Sequence, residues 1–248
     1  MNKKIIYDFG SNNGDDIPYY LLKSDLVVAV EANPVLCNHI KNRFINEIHN
    51  GSLIVENCIL NTGESADKVA FYIHKTYHVL SQFPKPNNIE DFEEIFLQSK
   101  NVISLIREHG NPYYIKIDIE HYDQIILREL FANNITPPYI SSESHSIEVF
   151  AALVVLGKYN AFKLVEGPSV STRYRDCDIA TINGVIRYSF PHHSAGPFGG
   201  DINGPWMTAN NFFQVLAYSG LGWRDIHATS IDSPDLNYAP QPHITINF

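Results

Sequence analysis

The chain has 248 residues and a formal net charge of −9, with 44% hydrophobic and 18% charged residues. That composition supports a packed core and excludes an intrinsically disordered chain, and without a Lys/Arg cluster it argues against a nucleic-acid partner. Cys37, Cys58 and Cys177 make neither a disulfide framework nor a CxxC zinc motif, and no run reads as a signal peptide or a membrane span, so the expectation is a soluble, cytoplasmic protein.

Residues 5–7 read as a short buried strand. Residues 17–23 read as a helix, with Asp15 or Asp16 at its cap and Pro18 in its first turn. The apolar, β-branched run 26–30 predicts a parallel strand covered on both faces. Helical spacing follows over 34–48, then strands over 53–55 and 69–73. Residues 89–109 read as mostly helical. A buried strand is expected over 114–119, a helix over 122–132, a strand over 139–142 and a helix over 147–156. This alternation implies an α/β fold with a mainly parallel central sheet flanked by helices. Beyond Gly167 the pattern changes. Residues 184–210 hold Pro191, Gly196, Pro197, Gly199, Gly200, Gly204 and Pro205 around His192, His193 and Trp206, the composition of a functional lid or binding loop. The chain reads as one domain without a clean internal boundary: a core over 1–166 and a loop-rich extension over 167–248.

The strongest local signal is Asp8-Phe9-Gly10-Ser11-Asn12-Asn13-Gly14, directly after the first strand. Ligands of open α/β sheets bind beyond the carboxyl ends of the strands. Gly10 and Gly14 permit a sharp turn and a close approach to a ligand. Their spacing is GxxxG and not the GxGxxG that cradles a pyrophosphate, so a dinucleotide-dependent oxidoreductase is disfavoured. The carboxylates of Asp8, Asp15 and Asp16 crowd the turn with no Lys or Arg among them. They would repel a diphosphate and attract the cationic amino and sulfonium groups of S-adenosylmethionine. The second strand ends in Val30-Glu31-Ala32-Asn33-Pro34, where Glu31 is placed to accept both ribose hydroxyls. Asn57 and Cys58, after the third strand, are expected near the adenine.

These residues resemble the FkbM family of methyltransferases. The matching stretches are Tyr7-Asp-Phe-Gly-Ser-Asn-Asn-Gly-Asp-Asp16, Val27-Val-Ala-Val-Glu-Ala-Asn-Pro34, Tyr114-Ile-Lys-Ile-Asp-Ile-Glu120 and Tyr139-Ile-Ser-Ser-Glu143. They cover the first two-thirds of the chain in order, and Ser194-Ala-Gly-Pro-Phe-Gly199 also looks like a loop found in some members. The resemblance implies a class I methyltransferase, Rossmann-like fold, S-adenosylmethionine as donor, and an O-methylated product such as a glycan or secondary metabolite. It implies donor contacts from Asp8, Gly10, Ser11, Asn12, Asn13, Gly14, Asp16, Glu31, Ala32, Asn33, Asn57, Cys58, Ser81 and Asp118, with His78 beside Ser81. One departure stands out: the family commonly has Gly after Asp-x-Glu, and this chain has His121.

Methyl transfer from a sulfonium requires alignment and removal of the acceptor's proton. Asp118, Glu120 and His121 close one strand, and Glu143 and His145 close the next. His145 is the preferred base and His121 the second, with Asp118 and Glu143 orienting the base or the acceptor. Asp118, Glu120, Glu143 and His145 also make an oxygen-rich set with one imidazole, suited to magnesium or manganese; without a compact ligand motif, a metal-free site is the expectation. His192, His193 and the glycine-rich segment to Trp206 are expected to cover the acceptor, a small polar molecule such as a sugar, a sugar phosphate or a capsule-type precursor. N-methylation and a catalytically silent binding domain are the remaining alternatives.

Overall fold

A computed structural model describes residues 3–240. The chain begins with β1 (Ile5–Phe9), α1 (Ile17–Lys23), β2 (Leu26–Val30), α2 (Pro34–Arg43), α3 (Ile45–His49) and β3 (Leu53–Glu56). Three further strands, β4 (Ile59–Asn61), β5 (Ala66–His74) and β6 (Phe92–Asn101), form a small sheet of their own in the order β4-β6-β5. The chain returns through α4 (Val102–His109), β7 (Tyr114–Ile117), α5 (Asp123–Ala132), β8 (Tyr139–Ser144) and α6 (Ile147–Ala151), the last continued by a π-helical turn over Ala152–Leu156. It ends with β9 (Ala161–Glu166), α7 (Val170–Arg173), a hairpin of β10 (Cys177–Thr181) and β11 (Gly184–Tyr188), α8 (Ala209–Ser219) and β12 (Gly222–Thr229). Among the described residues no helix is long and apolar enough to cross a membrane.

Seven strands form the central sheet in the order β3-β2-β1-β7-β8-β12-β9. β1 pairs in parallel with β2 and β7, β2 with β3, and β7 with β8, while β12 runs antiparallel between β8 and β9. This mostly parallel sheet, flanked by helices, has the class I methyltransferase, Rossmann-like fold. β1 and β2 bury every residue because helices cover both faces. The period of two divides the core: Tyr7 and Phe9 face a layer with Leu105, Ile126, Leu130 and Phe212, while Ile6 faces the layer holding Tyr20, Ile40 and Tyr114. The strand order reverses between β1 and β7, which opens a crevice at their carboxyl ends.

Several expectations change. The 89–109 stretch is not mostly helical: 92–101 is strand β6, paired with β5 from Ala66↔Ser99 to His74↔Phe92. Its glutamates and Leu97 favour a helix locally, but a partner strand overrides that preference. The helix starts only at Val102, where the Asn101 side chain accepts from the amides of Ile103 and Ser104 at 2.9 and 3.0 Å. The expected 34–48 helix breaks at Phe44, which leaves helical geometry at φ −117° and ψ 35°. Asp16 occupies the cap position of α1, yet its side chain makes no capping bond. The turn-rich 184–210 segment contributes β11 and then enters the core: Phe198 stacks on Tyr114 at 4.0 Å and 10°, with Ile202 and Trp206 buried nearby. Burial of a side chain like Phe198 contributes about 1.5–3 kcal/mol, so this loop is a structural part of one sheet face.

Candidate functional site

At the crevice the ends of β1, β2 and β7 are held together by their own backbone. The amides of Gly10 and Ser11 donate to the Val30 carbonyl at 3.0 and 3.1 Å, and that of Asp118 to Phe9 at 3.0 Å. Gly10 sits at φ +84°, and a Cβ there would lie 1.8 Å from the Asp118 carbonyl oxygen. Only glycine allows these strand ends to pass so closely. The turn delivers the Asn12 amide to one Glu31 carboxylate oxygen at 2.7 Å, and the Asn33 amide reaches the other at 2.7 Å. Burial pushes the Glu31 carboxyl up to about 7, against the pull of those two amides. Each oxygen keeps a free lone-pair direction for a ligand hydroxyl.

A cavity of about 460 Å³ opens here, within the usual range for small-molecule sites of roughly 300–1,000 Å³. Gly10 and Asp118 lie side by side in its middle, with Asn12, Glu31, Ala32 and Cys58 toward the β2 and β3 end, Glu120, Glu143, His145, His193 and Trp223 toward the β8 end, and Ile59, Leu60, Phe71, Leu80, Ser81 and Phe83 along the side wall. A smaller recess of about 40 Å³ adjoins it, sharing Gly10, Asn12, Asp118, His193 and Trp223 and adding Ser11, Asn13, Asp16, Lys116 and Asp225.

The electrostatics differ from the all-acidic turn expected from sequence. Lys116, buried in β7 at 4% exposure, lies beneath the turn. Its ammonium donates to the Gly10 carbonyl at 3.1 Å and sits 3.1 Å from Asp118 and 3.8 Å from Asp8. Burial works to lower the Lys116 pKa, but Asp118, Asp8, Asp16 and Asp225 together hold it well above the ordinary value. Burial raises the Asp8 carboxyl, with Lys116 pulling the other way. For Asp118 burial also works upward, yet Lys116 outweighs it and holds the carboxyl below the usual range.

At the far end, His145 Nε2 lies 2.8 Å from Glu143 and 3.4 Å from Glu120. Burial, then repulsion from Asp118, pushes Glu120 up to about 7 and Glu143 up to about 10. The ring of His121 lies 4.8 Å from that of His145. Glu120 and His121 both adopt left-handed backbone, with φ +47° and +65°. That gives the glycine common in the FkbM pattern a conformational reason: the position needs a residue free at positive φ. The His121 side chain is exposed and does not line the cavity.

The expected donor residues divide into three groups. Gly10, Asn12, Glu31, Ala32, Cys58, Ser81 and Asp118 line the large cavity, as does His78, and Ser11, Asn13 and Asp16 line the recess. Asp8, Gly14, Asn33 and Asn57 line neither. Asn57 donates its amide to the carbonyls of Glu31 and Ala32 at 2.8 and 2.9 Å, and Asn33 caps α2 by accepting from Val35 at 3.0 Å. Gly14 makes the tight turn at φ +81°, where a Cβ would press on Ile17, Ile40 and Phe44. Asp16 turns its carboxylate to the C-terminal extension, accepting from the Ser194 hydroxyl and from the Ala195 amide at 3.1 Å. Of the expected acceptor cover, only His193 lines the cavity; it stacks on Trp223 at 6.3 Å and 21°. Sequence reasoning missed Lys116, Asp225, Trp223 and the apolar part of the side wall, Ile59, Leu60, Phe71, Leu80 and Phe83, although it placed Ser81 and His78 there. Lys116 left a signal, a lone charge in the otherwise apolar run Tyr114-Ile-Lys-Ile; the wall left none, because long-range pairing builds it.

No known protein-family model matches the chain, and no curated protein matches it. Among solved structures, methyltransferase FkbM from Methylobacillus flagellatus is 13% identical with a TM-score of 0.44, over 66% of this chain and 40% of its own. Trm5b from Pyrococcus abyssi is 8% identical with a TM-score of 0.32, over 66% of this chain and 38% of its own. An RNA methyltransferase candidate from Pyrococcus horikoshii is 10% identical with a TM-score of 0.36, over 94% of this chain and 77% of its own. The chain thus spans well under half the length of the first two. At these identities and TM-scores no residue role is carried over from them.

Proposed function

We propose that the chain is an S-adenosylmethionine-dependent methyltransferase of the FkbM type, acting on a hydroxyl of a small polar acceptor such as a sugar or sugar phosphate. The observation that carries this reading is the continuity of one cavity from the Glu31 carboxylate to the His145 cluster. The ribose hydroxyls would meet Glu31, and the adenine would lie among Ala32, Cys58 and Leu60. The zwitterionic amino-acid end suits the recess, where Asp118 faces the ammonium and Lys116 is the balancing cation. The sulfonium methyl then points toward Glu143 and His145.

Transfer is an in-line displacement: the acceptor oxygen forms a bond to the methyl carbon as the carbon–sulfur bond breaks. The hydroxyl proton leaves to His145, while Asp118 and Glu143 orient the base or the acceptor. His193 and Trp223 form the acceptor-side edge, where an aromatic face can stack on a sugar ring.

Calorimetry with S-adenosylmethionine and S-adenosylhomocysteine tests the donor half, and transfer of a labelled methyl group to fractionated metabolites tests the acceptor half. Binding of the nucleosides with label in small hydroxylated compounds is expected. A protein that ignores both nucleosides, or that labels RNA in place of small hydroxylated compounds, overturns the reading.

A further inference from the structure

The four groups at the far end of the cavity do more than surround one another. Asp118, Glu120, Glu143 and His145 each offer one ligand atom, and those four atoms all lie within 4.8 Å of one another. Ligands of a single octahedral ion at about 2.1 Å stand roughly 3.0 to 4.2 Å apart, so closure on an ion needs a shift of well under an ångström. The ring nitrogen of His145 is sealed from solvent and makes no hydrogen bond, although Glu143 is only 2.8 Å away. Glu143 is 6% exposed and lines the cavity, its carboxyl hydrogen-bonded to Asp118.

Charge balance separates this group from the other acidic cluster of the molecule. Glu56, Glu108 and His109 also gather, but Lys100 sits among them, 2.9 Å from Glu56 and 3.5 Å from Glu108. In the cavity Lys116 reaches Asp118 only. Among the described residues, the sole basic partner of Glu120 and of Glu143 is His145. Glu120 and Glu143 thus line the cavity with no lysine or arginine between them, so an ion entering there meets no resident cation.

We infer that Asp118, Glu120, Glu143 and His145 form a binding site for a hard divalent cation, manganese or magnesium. Three oxygens and one imidazole nitrogen suit such an ion, with open positions toward the cavity for water or for acceptor oxygens. This inference rests on the methyltransferase reading for its purpose: the ion holds the acceptor hydroxyl and makes its proton easier to lose. It also revises one detail. A His145 nitrogen that holds an ion is no longer a base, and the ion's lowering of the hydroxyl pKa takes over that part of its role.

The test is Mn²⁺ titration of chelator-stripped protein, followed by loss of the free-ion paramagnetic resonance signal, with S-adenosylhomocysteine calorimetry on the same samples. The inference expects one Mn²⁺ site per chain, weakened at least about tenfold in both Glu120→Gln and His145→Ala. Glu56→Gln, at the lysine-filled cluster, is expected to bind Mn²⁺ as the parent does. Failure of the parent protein to bind Mn²⁺, undiminished binding in both site variants, or equal loss in Glu56→Gln overturns the cation site. Nucleoside binding without Mn²⁺ binding removes the cation and keeps the methyltransferase reading; Mn²⁺ binding without nucleoside binding does the reverse.

Discussion

The two ends of the cavity are built in opposite ways. The Glu31 end comes from three consecutive strand termini within the first 58 residues, and backbone amides grip its key carboxylate at 2.7 Å. The His145 end gathers side chains from the ends of β7 and β8, a wall from β4–β6, and His193 and Trp223 from the C-terminal extension. The first end is rigid because backbone supplies the donors. The second is shaped by tertiary packing, and its carboxylates are held mainly by one another and by a single imidazole.

The sharpest way to break that contrast is a paired substitution. His145→Ala should lower turnover by about 10²–10⁴-fold while the calorimetric affinity for S-adenosylhomocysteine stays near the parent value. Glu31→Ala should do the reverse at the donor: it leaves the Asn12 and Asn33 amides without acceptors and should weaken nucleoside affinity by about 10²-fold, as loss of two hydrogen bonds to a charged group implies. Equal effects of both changes on both measurements would mean that the two ends are not separate.

A smaller effect tests how the ends are tied. Burial, with Asp8 repulsion opposing Lys116 and the bond from Ser194, raises Asp16 to about 6. Its folded pKa lies above the unfolded value of 3.8, so the folded protein holds the proton more tightly. The stability this confers is complete below about pH 4 and is lost as pH rises through 6. Asp16→Asn should therefore flatten the decline in unfolding free energy between pH 4 and 6, measured by urea denaturation at each pH. An unchanged slope would place the Asp16 proton elsewhere.

The smallest effect lies at His121. His121→Gly relieves a left-handed backbone and should raise unfolding free energy by about 1 kcal/mol, a gain of roughly 2–4 °C in melting temperature. If turnover of the same variant is unchanged, His121 is removed from proton transfer.

The difference between the ends also explains what could be read in advance. The Gly10 turn, Glu31 and the buried strands announce themselves locally, since a backbone conformation or a continuous apolar run leaves its mark in adjacent residues. The four groups of the far end were named from two strand ends, because adjacent parallel strands bring their termini side by side. Their convergence within 4.8 Å is a tertiary fact. β6 was misread because Glu93, Glu94 and Gln98 favour a helix until β5 pairs with them. Lys116 carried a legible signal, a charge in an apolar strand, but the acids it neutralises lie in other elements and no local pattern joins them.

The bond from Asp16 to Ser194 spans 178 positions and has a consequence for biosynthesis. As the chain leaves the ribosome, the glycine turn and Glu31 emerge well before the group that satisfies Asp16 and the ring that stacks on Tyr114. The proposed donor pocket therefore matures late, and a nascent chain stalled before Ser194 carries the motif without the architecture around it.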